Sequence, residues 1–176
     1  GTEIVIGEFH AYTDDEVERY FNAIDRFYTG RAKYNSIQFP VIFRLFYCCG
    51  TRLNETLSIR VKDVDLRNGT IRLVETKNHR ERYIVLGDDL LDLMISYADK
   101  CFYLLSEKDY IFSSNRGEHH SNDRIYSVHR ETLQYAGIPF RGDREGPRIH
   151  DWRHTFAVRS FKQMIDSGMD IPPFRF

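Results

Sequence analysis

No stretch of this sequence approaches a membrane-spanning apolar run, and its opening residues do not have the pattern of a secretory signal peptide. The first lack excludes a bilayer-crossing helix; together they set the expectation of a cytoplasmic protein. Cysteine is scarce as well. Cys48 and Cys49 are adjacent inside an apolar run and Cys101 stands alone, which excludes paired metal-ligand spacing and suits small buried hydrophobes in a reducing compartment. Nor is either charge in excess: 25 Lys and Arg meet 26 Asp and Glu, for a net charge of −1. Taken as a total, that balance argues against a nucleic-acid partner.

The distribution of charge argues otherwise. Residues 1–30 carry seven acidic and two basic side chains, net −5, whereas residues 124–162 carry eight basic and four acidic ones, net +4. A neutral chain of this kind can present a basic face to phosphate. Its 176 residues suffice for one compact domain with its own core and fall short of two.

The chain is organised around Pro147 to Ala157. Pro147 disfavours helix before it, and the periodic run that follows ends at a glycine stop, Gly168. Wound at about 100° per residue, Asp151, Thr155, Arg159, Lys162, Gln163 and Asp166 share one side. Ala157, Phe161, Met164 and Ile165 share the other, with His150, Arg153 and His154 projecting among them. Cations on an otherwise apolar face require either buried partners or an anionic ligand. Both explanations fit this helix taken by itself.

Upstream, Thr13 and Glu16 form a capping box for an amphipathic helix reaching Gly30. A second, deeply buried helix runs from about Ser36 to Cys49 and ends at Gly50. Thr51 is placed to cap a short third helix carrying Arg52 and Glu55, whose spacing lets the carboxylate hold the guanidinium. The period then changes to two. Val64 to Leu66, Thr70 to Thr76 and Arg82 to Leu86 read as strands, joined by a hairpin turn at Asn68-Gly69 and a second turn at Lys77 to Arg80. Asp88 or Asp89 caps a helix through about Leu105, and Ser121 caps one reaching Ala136 with Gly137 as its stop. Glu118, His119 and His120 read as a surface loop, since no further metal ligand stands at fixed spacing.

Gly-Thr-Arg-Leu-Asn-Glu at 50–55, Lys77 on its hairpin and His-Asp-Trp-Arg-His-Thr-Phe-Ala at 150–157 together resemble the catalytic domain of the tyrosine recombinases, the phage-integrase family. The resemblance extends from the helix near Thr13 to Gly168. It implies an α+β fold, mainly helical, with a small three-stranded antiparallel sheet. Residues 1–12 would then be an extended lead-in, 13–170 the integrase core and 171–176 a truncated tail.

The chemistry implied by the resemblance is attack of a tyrosine hydroxyl on a DNA phosphodiester, giving a 3′-phosphotyrosine and a free 5′-hydroxyl without metal or cofactor. Arg52 and Arg153 match the two arginines that bind the non-bridging oxygens of the scissile phosphate, a role suited to a planar, always charged fork. Lys77 matches the lysine that protonates the leaving 5′-oxygen. His150 matches the residue that helps hold the phosphate and assists proton transfer. Glu55 matches the acid that supports the first arginine, and His154 is a supporting residue of the same motif. Trp152, Thr155 and Phe156 read as packing.

The family also has a histidine or tryptophan and then the nucleophilic tyrosine after the Arg153 helix. Here the last of eleven tyrosines is Tyr135 and no histidine follows His154, so no nucleophile is assigned. The expectation is a C-terminally incomplete segment, inactive alone, that also lacks the family's separate N-terminal clamp domain. Double-stranded DNA is the implied partner; full-length relatives act as tetramers joined through C-terminal tails, so this segment is expected to be a monomer. A binding-only relic or regulator on the same fold is the alternative reading. A third takes His150 and His154 as a metal pair, but no glutamate follows His150 and Arg153 would repel a cation.

Overall fold

The computed structural model describes residues 9–28, 35–75, 77–114 and 117–168. The expectations placed on residues 1–8, on a helix stop at Gly30, on Thr76 and on residues 169–176 lie outside the described residues. In chain order the elements are α1 (Asp14–Tyr28), α2 (Asn35–Cys49), α3 (Leu53–Leu57), β1 (Val64–Asp65), β2 (Thr70–Val74), β3 (Glu81–Val85), α4 (Asp88–Cys101), α5 (Asn122–Ala136) and α6 (Ile149–Asp166). Short 3-10 turns occupy Val61–Asp63 and Phe102–Leu104. This is the mainly helical α+β architecture with three antiparallel strands that the sequence predicts.

Local signals set most of these boundaries. The Thr13 hydroxyl accepts the Glu16 N–H at 3.1 Å while the Glu16 carboxylate accepts the Thr13 N–H at 3.0 Å, closing the capping box of α1. The Ser121 hydroxyl likewise accepts the Arg124 N–H, and Gly137 ends α5 at φ +69°. α2 is apolar nearly all round, and Phe39, Val41, Ile42, Phe43 and Leu45 are fully buried, so α1, α4 and α6 pack against it.

Besides small shifts at the strand ends, three helix boundaries differ from the sequence reading. Arg52, not Thr51, is the N-cap of α3; the Thr51 hydroxyl instead accepts from the Thr56 hydroxyl at 2.7 Å. Gly87 caps α4, leaving Asp88 and Asp89 in the first turn, where they oppose the positive end of the helix dipole. That helix ends at Cys101 and tightens into the 3-10 turn instead of running to Leu105.

The sheet order is β1-β2-β3, with Val64 opposite Ile71 and Leu73 opposite Arg82. Ile71, Leu73 and Ile84 point inward; Tyr83 and Val85 point to solvent. The first hairpin has four residues between Asp65 and Thr70, one more than the strand ends at Leu66 and Thr70 give, and the Asp65 carboxylate accepts from both the backbone and the side-chain amide of Asn68.

The faces of α6 are the largest departure. Asp151 and Thr155 are buried, whereas Phe161 and Ile165 are 36% and 52% exposed. Burial is tolerated because both polar groups are satisfied. The Asp151 carboxylate accepts the Arg148 backbone N–H at 2.6 Å and pairs with its guanidinium. The Thr155 hydroxyl donates to the Asp151 carbonyl and accepts the Tyr12 N–H. Trp152 fixes the roll of the helix. Its ring is fully buried, stacks on Tyr12 at 3.7 Å, and meets Tyr20, Phe21 and Tyr47 within 5.4 Å.

Candidate functional site

The site forms where the turn after α2 meets the first two turns of α6. Gly50 has φ +63°, a left-handed conformation that glycine adopts without steric cost. A Cβ there would lie 2.7 Å from Cε1 of Phe156 and nearer still to Cδ1, so the Phe156 ring occupies the space that any other residue would fill. With that ring on the turn, the Arg153 guanidinium donates to the Gly50 carbonyl through Nη1 at 2.8 Å. Arg52 is two residues further on. Residues a hundred positions apart are thereby brought together.

Arg153 lies in a crowded cationic field. Partial burial lowers its pKa, the Arg52 and Arg82 guanidiniums lower it further, and the carboxylates of Glu55 and Glu75 oppose them. The Arg52 guanidinium has no hydrogen bond or ion pair among the described residues; its backbone N–H donates to Glu55 Oε1 at 2.8 Å. Glu55 therefore does not hold the Arg52 guanidinium as its spacing suggests. The buried Glu55 carboxylate pairs with Arg82 of β3, while binding Arg52 through the main chain.

His150 borders a cavity of about 700 Å³ whose wall also includes Arg52, Tyr126, Arg130 and Arg148. Partial burial lowers the His150 pKa, helped by His154 and Arg153, so the neutral imidazole is favoured. The His154 ring meets it edge-on at 4.6 Å and is itself stacked on Phe9 at 4.7 Å. Burial also lowers the His154 pKa, and Asp151 opposes the shift. Lys77 is exposed on the loop between β2 and β3, and its ammonium makes no hydrogen bond or ion pair among the described residues.

Among the described residues no three His, Cys, Asp or Glu side chains gather around a common point. His120 is buried against Gln38 at 2.8 Å, and His119 Nδ1 lies 2.9 Å from the His120 carbonyl, which accounts for both rings without a ligand. No helix of the described residues is long and apolar enough to cross a membrane.

Residues 11–173 match the family model described as the phage integrase family. The chain belongs to that family. It is 33% identical over 140 residues to a probable integrase/recombinase protein of Methanocaldococcus jannaschii, an alignment covering 77% of this chain and 40% of the relative. It is also 33% identical over 128 residues to the tyrosine recombinase XerA of Saccharolobus solfataricus, covering 72% of this chain and 38% of the relative. The chain thus spans about two fifths of the length of these curated relatives. A crystal structure of the XerH site-specific recombinase bound to its difH substrate, before cleavage, superposes with a TM-score of 0.72 at 20% identity, covering 90% of this chain and 45% of that one. At that identity the likeness shows the fold.

Two features of this phage-integrase core escape a motif reading. Arg82 is partly exposed but lies on the same side of β3 as buried Ile84 and opposite buried Leu73, from where its guanidinium reaches Glu55. Its signal is an arginine at an apolar position of an alternating strand, readable once the register is known. Phe9 lies in the lead-in, where no periodicity marks it as a partner of His154.

Proposed function

We propose that this chain is the DNA-breaking and rejoining core of a site-specific tyrosine recombinase. The observation that carries the reading is the meeting of Arg52 and Arg153 at the Gly50 turn, beside a cavity bordered by His150. Arg52 from the wall of that cavity and Arg153 from the adjoining turn take the non-bridging oxygens of one phosphodiester, for which the planar fork is suited. Neutral His150 holds a phosphate oxygen through its ring N–H and takes up, at its other ring nitrogen, the proton that the attacking tyrosine hydroxyl gives up. A tyrosine oxygen attacks phosphorus, the bond to the 5′-oxygen breaks, and Lys77 supplies the proton to that leaving oxygen once DNA draws its hairpin to the site. Neither metal nor cofactor is required. The attacking tyrosine comes from outside residues 1–176, and the segment alone binds as a monomer while the longer protein forms a tetramer on DNA.

Titration of a fluorescent DNA duplex, with light scattering to count copies, tests the binding step. Affinity should fall with a log–log salt slope of roughly −0.9 per phosphate contact, and Arg52→Gln or Arg153→Gln should weaken it by about tenfold or more. A longer form extending past Phe176 should trap a covalent adduct on nicked DNA. Adducts that survive Arg153→Ala refute the reading; DNA binding without any adduct leaves the binding-only alternative.

A further inference from the structure

Glu55 poses a problem of electrostatic bookkeeping. Its side chain is only 4% exposed, and an unpaired carboxylate buried to that degree is strongly disfavoured. Two guanidiniums are placed to neutralise it. Arg52 stands three residues earlier, at the spacing of side chains that meet on a helix. Arg82, itself 42% exposed, reaches it from β3, opposite Leu73 and on the same side of the strand as buried Ile84. The structure uses Arg82 for the charge and only the backbone N–H of Arg52 for the remaining hydrogen bond. As a result the Arg52 guanidinium is left without a protein partner among the described residues.

We infer that Arg82 is a positioning residue: by neutralising Glu55 it keeps the Arg52 guanidinium free for a phosphate oxygen, without itself touching DNA. The inference rests on the reading of Arg52 and Arg153 as a phosphate site. Without Arg82, Arg52, whose backbone N–H already binds Glu55 Oε1, is the cation placed to turn its guanidinium onto the buried carboxylate, since Arg153 is tied to the Gly50 carbonyl. Its side chain then turns inward, and the phosphate loses one of its two forks.

A mutant cycle on duplex-DNA affinity tests this, with the same chain and a fluorescent oligonucleotide. Arg82→Gln should weaken binding about as much as Arg52→Gln, roughly tenfold or more, since each removes the same charge-assisted contact. The pair Arg52→Gln with Arg82→Gln should be no weaker than Arg52→Gln alone. Glu55→Gln with Arg82→Gln should regain most of the affinity lost in Arg82→Gln, because a neutral amide no longer recruits Arg52. Should Arg82→Gln fail to fold, the comparison is Glu55→Gln with and without Arg82→Gln; equal affinities support the assignment and a tenfold difference overturns it. Losses that multiply, or that Glu55→Gln does not relieve, show Arg82 binding DNA directly and overturn the inference while leaving the phosphate site standing. If Arg52→Gln itself leaves binding unchanged, the phosphate site and the role of Arg82 both fall.

Discussion

Replacing Gly50 by alanine tests the geometry on which the site depends. Two costs add. A non-glycine residue at φ +63° costs about 1–2 kcal/mol in the left-handed region. The new methyl group, 2.7 Å or less from two atoms of the Phe156 ring, must displace that ring, and overpacking of this kind costs roughly 1–3 kcal/mol. A total near 3 kcal/mol corresponds to a melting temperature lowered by roughly 6–12 °C for a domain of this size. The displaced ring also lifts α6 from the turn, which separates Arg153 from the Gly50 carbonyl and weakens DNA binding beyond what destabilisation accounts for. Thermal unfolding and duplex titration of Gly50→Ala, Phe156→Ala and the double variant give the decisive comparison. Removing the ring removes the clash, so the double variant should be more stable than the sum of the single losses predicts, by about 1 kcal/mol or more. Additive losses, or a Gly50→Ala variant that melts within about 2 °C of the parent, would refute the account.

Acid should weaken the fold through His129. Its ring is fully enclosed, accepts from the Tyr20 hydroxyl at Nδ1 and donates to the Pro147 carbonyl at Nε2, and burial lowers its pKa to about 4. The unfolded chain, with an ordinary histidine near 6.5, binds the proton first, so stability is intact above that pH and declines toward pH 4. Between pH 7 and 5 the loss is about 2 kcal/mol, and urea unfolding of His129→Gln should show a pH dependence shallower by that amount; equal slopes would exclude His129 as the cause. Burial likewise raises the Cys49 thiol pKa to about 12. Iodoacetamide at pH 8 should therefore label Cys49 only after denaturation, and rapid labelling of Cys49 in the folded protein, distinguished from the exposed Cys48 by tandem mass spectrometry, would contradict its placement at the end of α2.

The parts of the fold legible in sequence are those set by local chemistry. Thr13 with Glu16, Ser121 with Gly137 and the terminal Gly168 mark their helices because each signal acts within one turn. The roll of α6 was not legible. Helical periodicity sorts residues by polarity, but Asp151 and Thr155 are buried because Arg148, Tyr12 and the first-turn backbone satisfy them, and those partners are not on the wheel. The site divides in the same way. Arg52, His150 and Arg153 are found from motif resemblance, whereas the device that joins them, a left-handed glycine filled by a distant phenylalanine, has no sequence signature. The partner of Glu55 is hidden for a related reason: helical spacing points to Arg52, and only strand register brings Arg82 into competition.

That competition explains how a cationic pocket persists in a folded protein. Among the described residues two further guanidiniums and two carboxylates, Glu55 and Glu75, act on Arg153, and the neighbouring histidines are held toward their neutral forms. Full pairing would stabilise the fold and leave nothing for a ligand; no pairing would make the buried Glu55 untenable. One strand-borne arginine assigned to the carboxylate resolves both demands, since it stabilises the interior and leaves the positive excess at the cavity wall. Under the proposed function, an incoming phosphate would relieve repulsion already present among the arginines, so the electrostatic cost of the cluster and the affinity proposed for a phosphodiester would have the same origin.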